Sequence, residues 1–139
     1  MPRIQSAPGA TMNIAASALK AQQARMRVIA ENMANSDSVA RIDGGDPYRR
    51  QVPVFAPQKV VGGEGVQLAR VEPDRTPFKV EYSPGHPGAD AQGYIKLPNV
   101  DPLVEAMDMR EAQRAYEANL NVIETSRAMQ TRTLDILKR

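Results

Sequence analysis

Few side chains in this sequence are of a type and spacing that could carry out chemistry. The single histidine, His86, lies in the turn-forming stretch Ser83–Gly88 and has no second imidazole with which to share a metal ion. The glycine-rich run Gly62–Gly65 lacks the lysine and the spacing of a phosphate-binding loop, so a hairpin turn explains it better. Because the chain contains no cysteine, thiol nucleophiles and zinc–thiolate sites are excluded.

Paired carboxylates can act as a general acid and a general base, and two such pairs stand close together in the sequence. The pairs are Asp43 with Asp46 and Glu72 with Asp74. Both pairs lie beside glycine or proline in segments that look like exposed loops, where we expect no neighbouring group to activate them. A third acidic group, formed by Glu105, Asp108 and Glu111, is typical of a solvated helical turn. We therefore expect no enzyme, no metal site and no bound cofactor.

The composition argues against nucleic acid and against a large self-sufficient core. Eighteen basic side chains stand against sixteen acidic ones, and beyond residue 35 the two signs are interspersed, unlike a nucleic-acid-binding face. Only 4% of residues are aromatic, and much of the apolar content is alanine and methionine. Since alanine buries little area, a lone copy should be marginally stable unless other copies add burial. No apolar run approaches the roughly 18 residues of a membrane span.

Proline and glycine divide the chain into three parts. Neither residue occurs between Gly9 and Gly44 or from Leu103 onward, so long helices can form only at the two ends. The predicted fold class is mainly α, with long N- and C-terminal helices forming an antiparallel coiled-coil-like pair and a small irregular β-containing middle segment. The predicted domains are residues 1–36 with 99–139, a discontinuous helical domain, and residues 37–98, the middle segment.

The N-terminal helix is predicted from about Ala10 to Asn35. One stripe of side chains is spaced alternately by three and four, as on one face of a helix, and only Gln22 within it is polar. The short polar run Asn35–Ser38 should end the helix because its side chains compete for backbone hydrogen bonds. The stripe consists of Met12, Ala15, Leu19, Gln22, Met26, Ile29 and Met33.

The C-terminal helix is predicted to begin at Asp101-Pro102, an N-cap followed by a proline at the first helical position. It carries two apolar stripes about 140° apart, more than one partner helix can cover. The first is expected to pair with Met12, Leu19, Met26, Ile29 and Met33, and comprises Tyr116, Leu120, Ile123, Leu134 and Leu137. The second is expected to meet neighbouring subunits, and comprises Ala115, Ala118, Val122, Met129 and Ile136.

The middle segment shows weaker strand signals. Residues Arg50–Phe55, Gly65–Arg70 and Phe78–Tyr82 alternate in part between apolar and polar side chains. Frequent prolines should confine such strands to sheet edges or extended chain. The glycine run Gly62–Gly65 is positioned to close a short hairpin.

Motifs at both ends resemble those of the flagellar rod and hook proteins. Asn32-Met33-Ala34-Asn35-Ser36 resembles the N-x-A-N-x-[ST] signature near the start of that family, and Pro98–Asp101 with Arg114–Asn119 resembles its C-terminal helix motif. The middle, at Pro47–Phe55 and His86–Val100, is similar to a proximal-rod subunit of the family. The matching motif residues are Asn32, Ala34, Asn35, Asn99, Val100, Arg114, Tyr116, Ala118 and Asn119.

The resemblance implies a structural subunit of the proximal rod, assembling into a tubular axial structure that transmits torque and conveys exported subunits. It implies export by the flagellar type III apparatus without a cleaved signal, a location in the periplasmic rod of the basal body, and other rod subunits and copies of itself as partners. No nucleic acid, small-molecule substrate or membrane insertion is expected. Two alternatives remain open, a free-standing helical adaptor or coiled-coil oligomer and a sister rod subunit of the same family.

Overall fold

The computed structural model describes residues 7–138, which form two long helices and four strands. The strands make two separate two-stranded sheets. The architecture confirms the predicted mainly α fold with a small β-containing middle. In chain order the elements are α1 (Ala7–Ala34), β1 (Gln51–Val60), β2 (Gly63–Pro73), β3 (Lys79–Tyr82), β4 (Tyr94–Leu97) and α2 (Pro102–Leu137).

The helix α2 begins as the sequence predicts. The Asp101 carboxylate accepts a hydrogen bond from the Leu103 backbone amide at 3.0 Å, and the Asp101 carbonyl accepts from the Glu105 amide at 3.0 Å. These two bonds satisfy amide groups that the first turn of a helix otherwise leaves unpaired. Asp101 is therefore the N-cap of α2, and Pro102 occupies the first helical position.

The helix α1 ends where predicted but begins earlier. At its end, the Asn35 side-chain amide donates to the Glu31 carbonyl at 2.9 Å, and the Ser38 hydroxyl donates to the Asn35 side-chain oxygen at 3.0 Å. At its start, the helix extends back to Ala7 and includes Pro8. Proline lacks only an amide that has no partner in the first turn, so Pro8 does not prevent the earlier start.

The sheets are hairpin-sized and consist only of edge strands. Two residues, Val61 and Gly62, connect β1 to β2, so these strands run antiparallel. Gly62 has a φ of 93°, a left-handed conformation that favours glycine. In the second sheet Lys79 faces Leu97 and Tyr82 faces Tyr94 in antiparallel register. The sequence pattern predicts β3 but not β4, which is a short strand between the turn-forming residues Gly93 and Pro98.

The chain divides into two compact units, and α1, α2 and the β1–β2 hairpin each contribute residues to both. The first unit comprises the described residues up to Met26, Val54–Arg70, and the described residues from Arg110 onward. The second unit comprises Arg27–Pro53 and Val71–Met109. The division into residues 1–36 with 99–139 and residues 37–98 stays a prediction.

Within the first unit, α1 and α2 run antiparallel. Arg25 of α1 lies 3.4 Å from the Glu111 carboxylate, whereas Pro8, at the other end of this part of α1, lines grooves with residues 121–134 of α2. The most buried side chains here are small. They are Ala15, Ser17, Ala21, Ala112 and Ser126. Small side chains remove little apolar area from water, so this unit gains little from burial.

The first unit also holds the tip of the β1–β2 hairpin against α1. The Ser17 hydroxyl accepts a hydrogen bond from the Val66 amide at 3.1 Å, and the Asn13 side-chain amide donates to the Val61 carbonyl at 2.8 Å. These residues lie on a face of α1 different from the one beside α2. One helix therefore supports two neighbours within this unit.

Candidate assembly surface

Apolar side chains at the C-terminal end of α2 lie in solvent. Leu134, Ile136 and Leu137 are 58%, 73% and 76% exposed, and Met129 is also exposed. At about 100° per residue, Leu134 and Ile136 point to well-separated sides of the helix, so no single neighbouring helix covers both. Burying a leucine or isoleucine fully is worth about 1.5–3 kcal/mol, which makes this surface a strong candidate for contact with another chain.

Only two of the five α2 residues that are predicted to pair with α1 are half-buried. Tyr116 and Ile123 are half-buried, whereas Leu120, Leu134 and Leu137 are exposed. On α1, Ile29 is buried, Met33 is exposed, and the rest are half-buried, namely Met12, Leu19 and Met26. Assigning these residues to helix pairing stays a prediction.

The inward side of α2 also contains polar residues that the apolar pattern misses. Buried or half-buried positions recur alternately every four and three residues, the spacing of a single helix face. A search for apolar residues misses Ser126 and Gln130 because neither is apolar. Their positions in the four-and-three repeat could nevertheless have predicted that they face inward. The inward positions are Glu105, Met109, Ala112, Tyr116, Asn119, Ile123, Ser126 and Gln130.

The predicted intersubunit stripe lies mostly in solvent. Ala115 is half-buried, and the other four members are exposed, namely Ala118, Val122, Met129 and Ile136. Val122 and Met129 line a shallow apolar groove together with Pro8 and Thr11 of α1. Whether this stripe contacts neighbouring subunits stays a prediction, but within the described chain it is largely uncovered.

A partly buried polar cluster at Arg50 joins three segments of the second unit. Its guanidinium bonds to Glu105 through Nε and Oε1, to Asp74 with an Nη1–Oδ2 distance of 3.1 Å, and to Asp108 with an Nη2–Oδ2 distance of 3.5 Å. Glu105 is 0% exposed, and no described residue donates a hydrogen bond to its second oxygen. The expectation of a solvated turn is therefore wrong for Glu105.

The cluster shifts the pKa values of Asp74 and Arg50. Hydrogen bonds from the Thr76 hydroxyl and amide, together with the guanidinium of Arg50, hold the pKa of Asp74 below its usual range. Burial works against the charge of Arg50, but its hydrogen bond and attraction to Glu105 and then Asp74 outweigh this, so the pKa of Arg50 is raised. Asp74, expected in an inert exposed loop, is thus a structural partner.

Two asparagines of the family motifs bind backbone groups in the second unit. Asn32, 1% exposed, donates to the Gln51 carbonyl at 2.8 Å, while its side-chain oxygen accepts from the Gln51 amide at 2.9 Å and the Tyr48 hydroxyl at 2.7 Å. The Asn99 side-chain oxygen accepts from the Arg50 amide at 2.7 Å. The Asn99 amide donates to the carbonyls of residues 74 and 76 at 3.0 and 2.9 Å. A side-chain amide is required at both positions because each both donates and accepts.

The other motif residues lie apart from these contacts. Val100 is buried, and the Asn119 side-chain amide donates to the Ala115 carbonyl at 2.8 Å within α2. Ala34, Arg114 and Ala118 are exposed. Asn35 closes the end of α1, and Tyr116 faces inward on α2.

Nothing in the described part of the chain forms a metal centre. Among residues 7–138, no three histidine, cysteine, aspartate or glutamate side chains are placed to hold one ion. The helices within that range are also too polar or too short in their apolar stretches to cross a membrane. The features that stand out are the uncovered faces of α2 and the polar cluster at Arg50.

Comparison with known proteins gives one consistent family. Residues 12–41 match the family described as flagella basal body rod protein, and residues 91–136 match the one described as flagellar basal body rod FlgEFG protein C-terminal. The flagellar basal-body rod protein FlgC of Agrobacterium fabrum is 44% identical, covering 93% of this chain and 94% of that protein. FlgC of Salmonella typhimurium is 44% identical, covering 89% of this chain and 93% of that protein. FlgC of Bacillus subtilis is 34% identical, covering 92% of this chain and 97% of that protein.

Proposed function

We propose that this chain, which belongs to the FlgC family of flagellar basal-body rod proteins, builds the rod through the apolar faces of α2 that it leaves uncovered. As a member of that family it is a structural subunit of the basal-body rod and assembles with other rod subunits. The observation that carries the proposal is the exposure of Ile136 and Leu137 at the end of a long helix. Neighbouring subunits, including copies of this chain, cover these side chains in the rod.

The first unit orders fully only on assembly. Fixing a residue in a helix costs about 1–2 kcal/mol of conformational entropy, and the small buried side chains of this unit offset little of it. Contacts from neighbouring subunits supply the missing burial, so binding and folding are coupled. Circular dichroism on dilute, purified protein tests this step, because high helicity with a sharp cooperative melt would contradict it.

The place of the subunit is the proximal rod in the periplasm, reached through the flagellar type III export apparatus without a cleaved signal. A chain of marginal stability suits that route because it passes readily as an extended polypeptide. Its helices then stack in a tube that conveys later subunits and transmits torque. The role is structural and non-catalytic, as the basal-body rod relatives suggest.

The relatives favour FlgC over a sister rod subunit, and they favour a rod protein over a free-standing coiled-coil oligomer. A rod subunit and a free-standing adaptor differ in their behaviour in solution. A free-standing adaptor forms a small, closed, stable oligomer at low concentration, whereas the rod subunit assembles only with its neighbours. Light scattering on the purified chain separates the two.

Complementation of a strain that lacks the gene tests the assembly surface. Ile136→Asp places a charge on the uncovered face, and Ala128→Asp places the same charge on a third side of α2, outside both stripes. We expect Ile136→Asp to be synthesised but to block swimming and the hook-bearing basal body, and Ala128→Asp to restore both. Normal swimming with Ile136→Asp would refute the proposed contact.

A second pair of variants distinguishes the roles of the two stripes. Ile123→Asp puts a charge in the inward face, so it should disturb the folded subunit as well as motility. Val122→Asp charges the outer stripe, so it should block incorporation while leaving the contact between α1 and α2 more intact. If both variants disturb the isolated chain equally, the assignment of separate roles to the two stripes is wrong.

A further inference from the structure

Gln22 is a polar residue in the middle of the α1 face that lies against α2. On that face Pro8 and Thr11 line a groove with α2, and Arg25 pairs with Glu111. At about 100° per residue, the Gln22 side chain projects between these three. Its Oε1 atom is buried, and no described residue donates a hydrogen bond to it.

An unsatisfied buried amide oxygen opposes the pairing of the two helices. When the helices separate, the Gln22 oxygen bonds to water, so the penalty exists only in the closed pair. Losses of this kind typically weaken an interaction by about tenfold or more. The buried apolar side chains of this unit, Ala15, Ala21 and Ala112, are small and offset little of that penalty.

We propose that Gln22 is a built-in weak point that keeps the α1–α2 pair of the first unit only loosely closed in the free subunit, so that the pair orders fully as neighbouring subunits bind during assembly. The inference rests on the proposed assembly function. A polar residue in a helix seam is known to lower stability while restricting which pairings form. A leucine at this position would complete the apolar stripe and hold the pair closed in the isolated subunit.

The neighbouring residue provides a matched control. Gln23 is exposed, so Gln23→Leu makes the same chemical change on the same helix without entering the seam. The wild-type chain, Gln22→Leu and Gln23→Leu are purified at full length and compared by circular dichroism at 222 nm and by hydrogen exchange of α1 and α2 amides. We expect Gln22→Leu to raise helicity and slow exchange about tenfold, and Gln23→Leu to behave as wild type.

Incorporation is measured by competition in cells. Each variant is co-expressed with an equal amount of the tagged wild-type chain in a strain lacking the chromosomal gene, and the ratio of the two is measured in purified basal bodies. We expect Gln22→Leu to be under-represented severalfold and Gln23→Leu to be present at parity.

Each outcome decides the proposal. Unchanged or faster exchange in Gln22→Leu would show that the orphaned oxygen does not weaken the pair, and slower exchange with parity in basal bodies would show that the weakness does not serve assembly. Either result overturns the inference while leaving the rod function standing. If the wild-type chain itself is absent from basal bodies, the proposed function fails instead.

Discussion

Replacing Arg50 with methionine should strongly destabilise the second unit by leaving a buried carboxylate without its counter-charge. Methionine keeps much of the aliphatic length of arginine but removes the guanidinium, which bonds to Glu105, Asp74 and Asp108. Asp74 and Asp108 are partly exposed and can turn to water. Glu105 is 0% exposed and cannot.

The size of the effect follows from that difference in exposure. Removing one partner of a buried ion pair typically destabilises a protein by about 3–5 kcal/mol, whereas each partly exposed pair contributes at most about 1 kcal/mol. Since small domains are stable by about 5–15 kcal/mol in total, Arg50→Met should remove a large part of the stability of the second unit. The double variant Arg50→Met/Glu105→Leu removes both charges and should recover most of the loss, because a buried pair often contributes little beyond an apolar replacement.

Hydrogen exchange on the full-length chain measures these changes where they arise. Amides of β4 and of the first two turns of α2 report the opening free energy of the second unit. We expect it to fall by about 3–5 kcal/mol in Arg50→Met and to lie within about 1 kcal/mol of wild type in the double variant. Unchanged protection in Arg50→Met, or equal damage in the single and double variants, would refute the reasoning.

Three further changes test individual contacts of the second unit. Gly93 has a φ of 87°, and an added Cβ would lie 2.9 Å from a Tyr82 ring carbon, so Gly93→Ala should destabilise the β3–β4 hairpin by at least about 1–2 kcal/mol in a urea titration. The pKa of Asp74 is lower in the folded chain than in the unfolded one, so the Asp74 carboxylate contributes to stability above about pH 4. This contribution is lost as pH falls through the pKa of the folded state. Asp74→Asn should therefore flatten the plot of unfolding free energy against pH between about pH 5 and 2. Asn32→Asp replaces the donor to the Gln51 carbonyl with an acceptor, so it should lower stability by about 1–3 kcal/mol, and exchange of the Gln51 amide should report it.

The sequence predicts the helices well because their signals are local. The Asp101-Pro102 cap and the polar end of α1 after Asn35 act within a few residues, and neither proline nor glycine interrupts residues 10–34 or 103–137. The early start at Ala7 escapes prediction only because a proline at the first turn can belong to either a loop or a helix. The hairpin between β1 and β2 is likewise encoded by a local glycine turn at Gly62.

The polar cluster escapes sequence reading because its members meet only in the folded chain. Asp74 is 24 residues from Arg50, and Glu105 is 55 residues from it. Proximity to proline made Asp74 look like a loop residue, and position in the first turns of a helix made Glu105 look solvated. Neither rule could predict that Arg50 contacts both Asp74 and Glu105 in the folded chain, because both rules use only neighbouring residues in the sequence. By contrast, the motif residues Asn32 and Asn99 were singled out by resemblance, and the structure supplies the backbone contacts that require an amide at each.

The exposed faces of α2 make the central claim testable in the assembled rod. The chain contains no native cysteine, so Ile136→Cys gives a single thiol on the uncovered face. In a strain that swims with this variant, maleimide labelling is compared between the isolated subunit, intact basal bodies and denatured basal bodies. We predict rapid labelling of the isolated and denatured protein and strong protection in intact basal bodies, because neighbouring subunits cover residue 136 there. Equal labelling rates in the isolated subunit and in intact basal bodies would contradict the claim that this face assembles the rod.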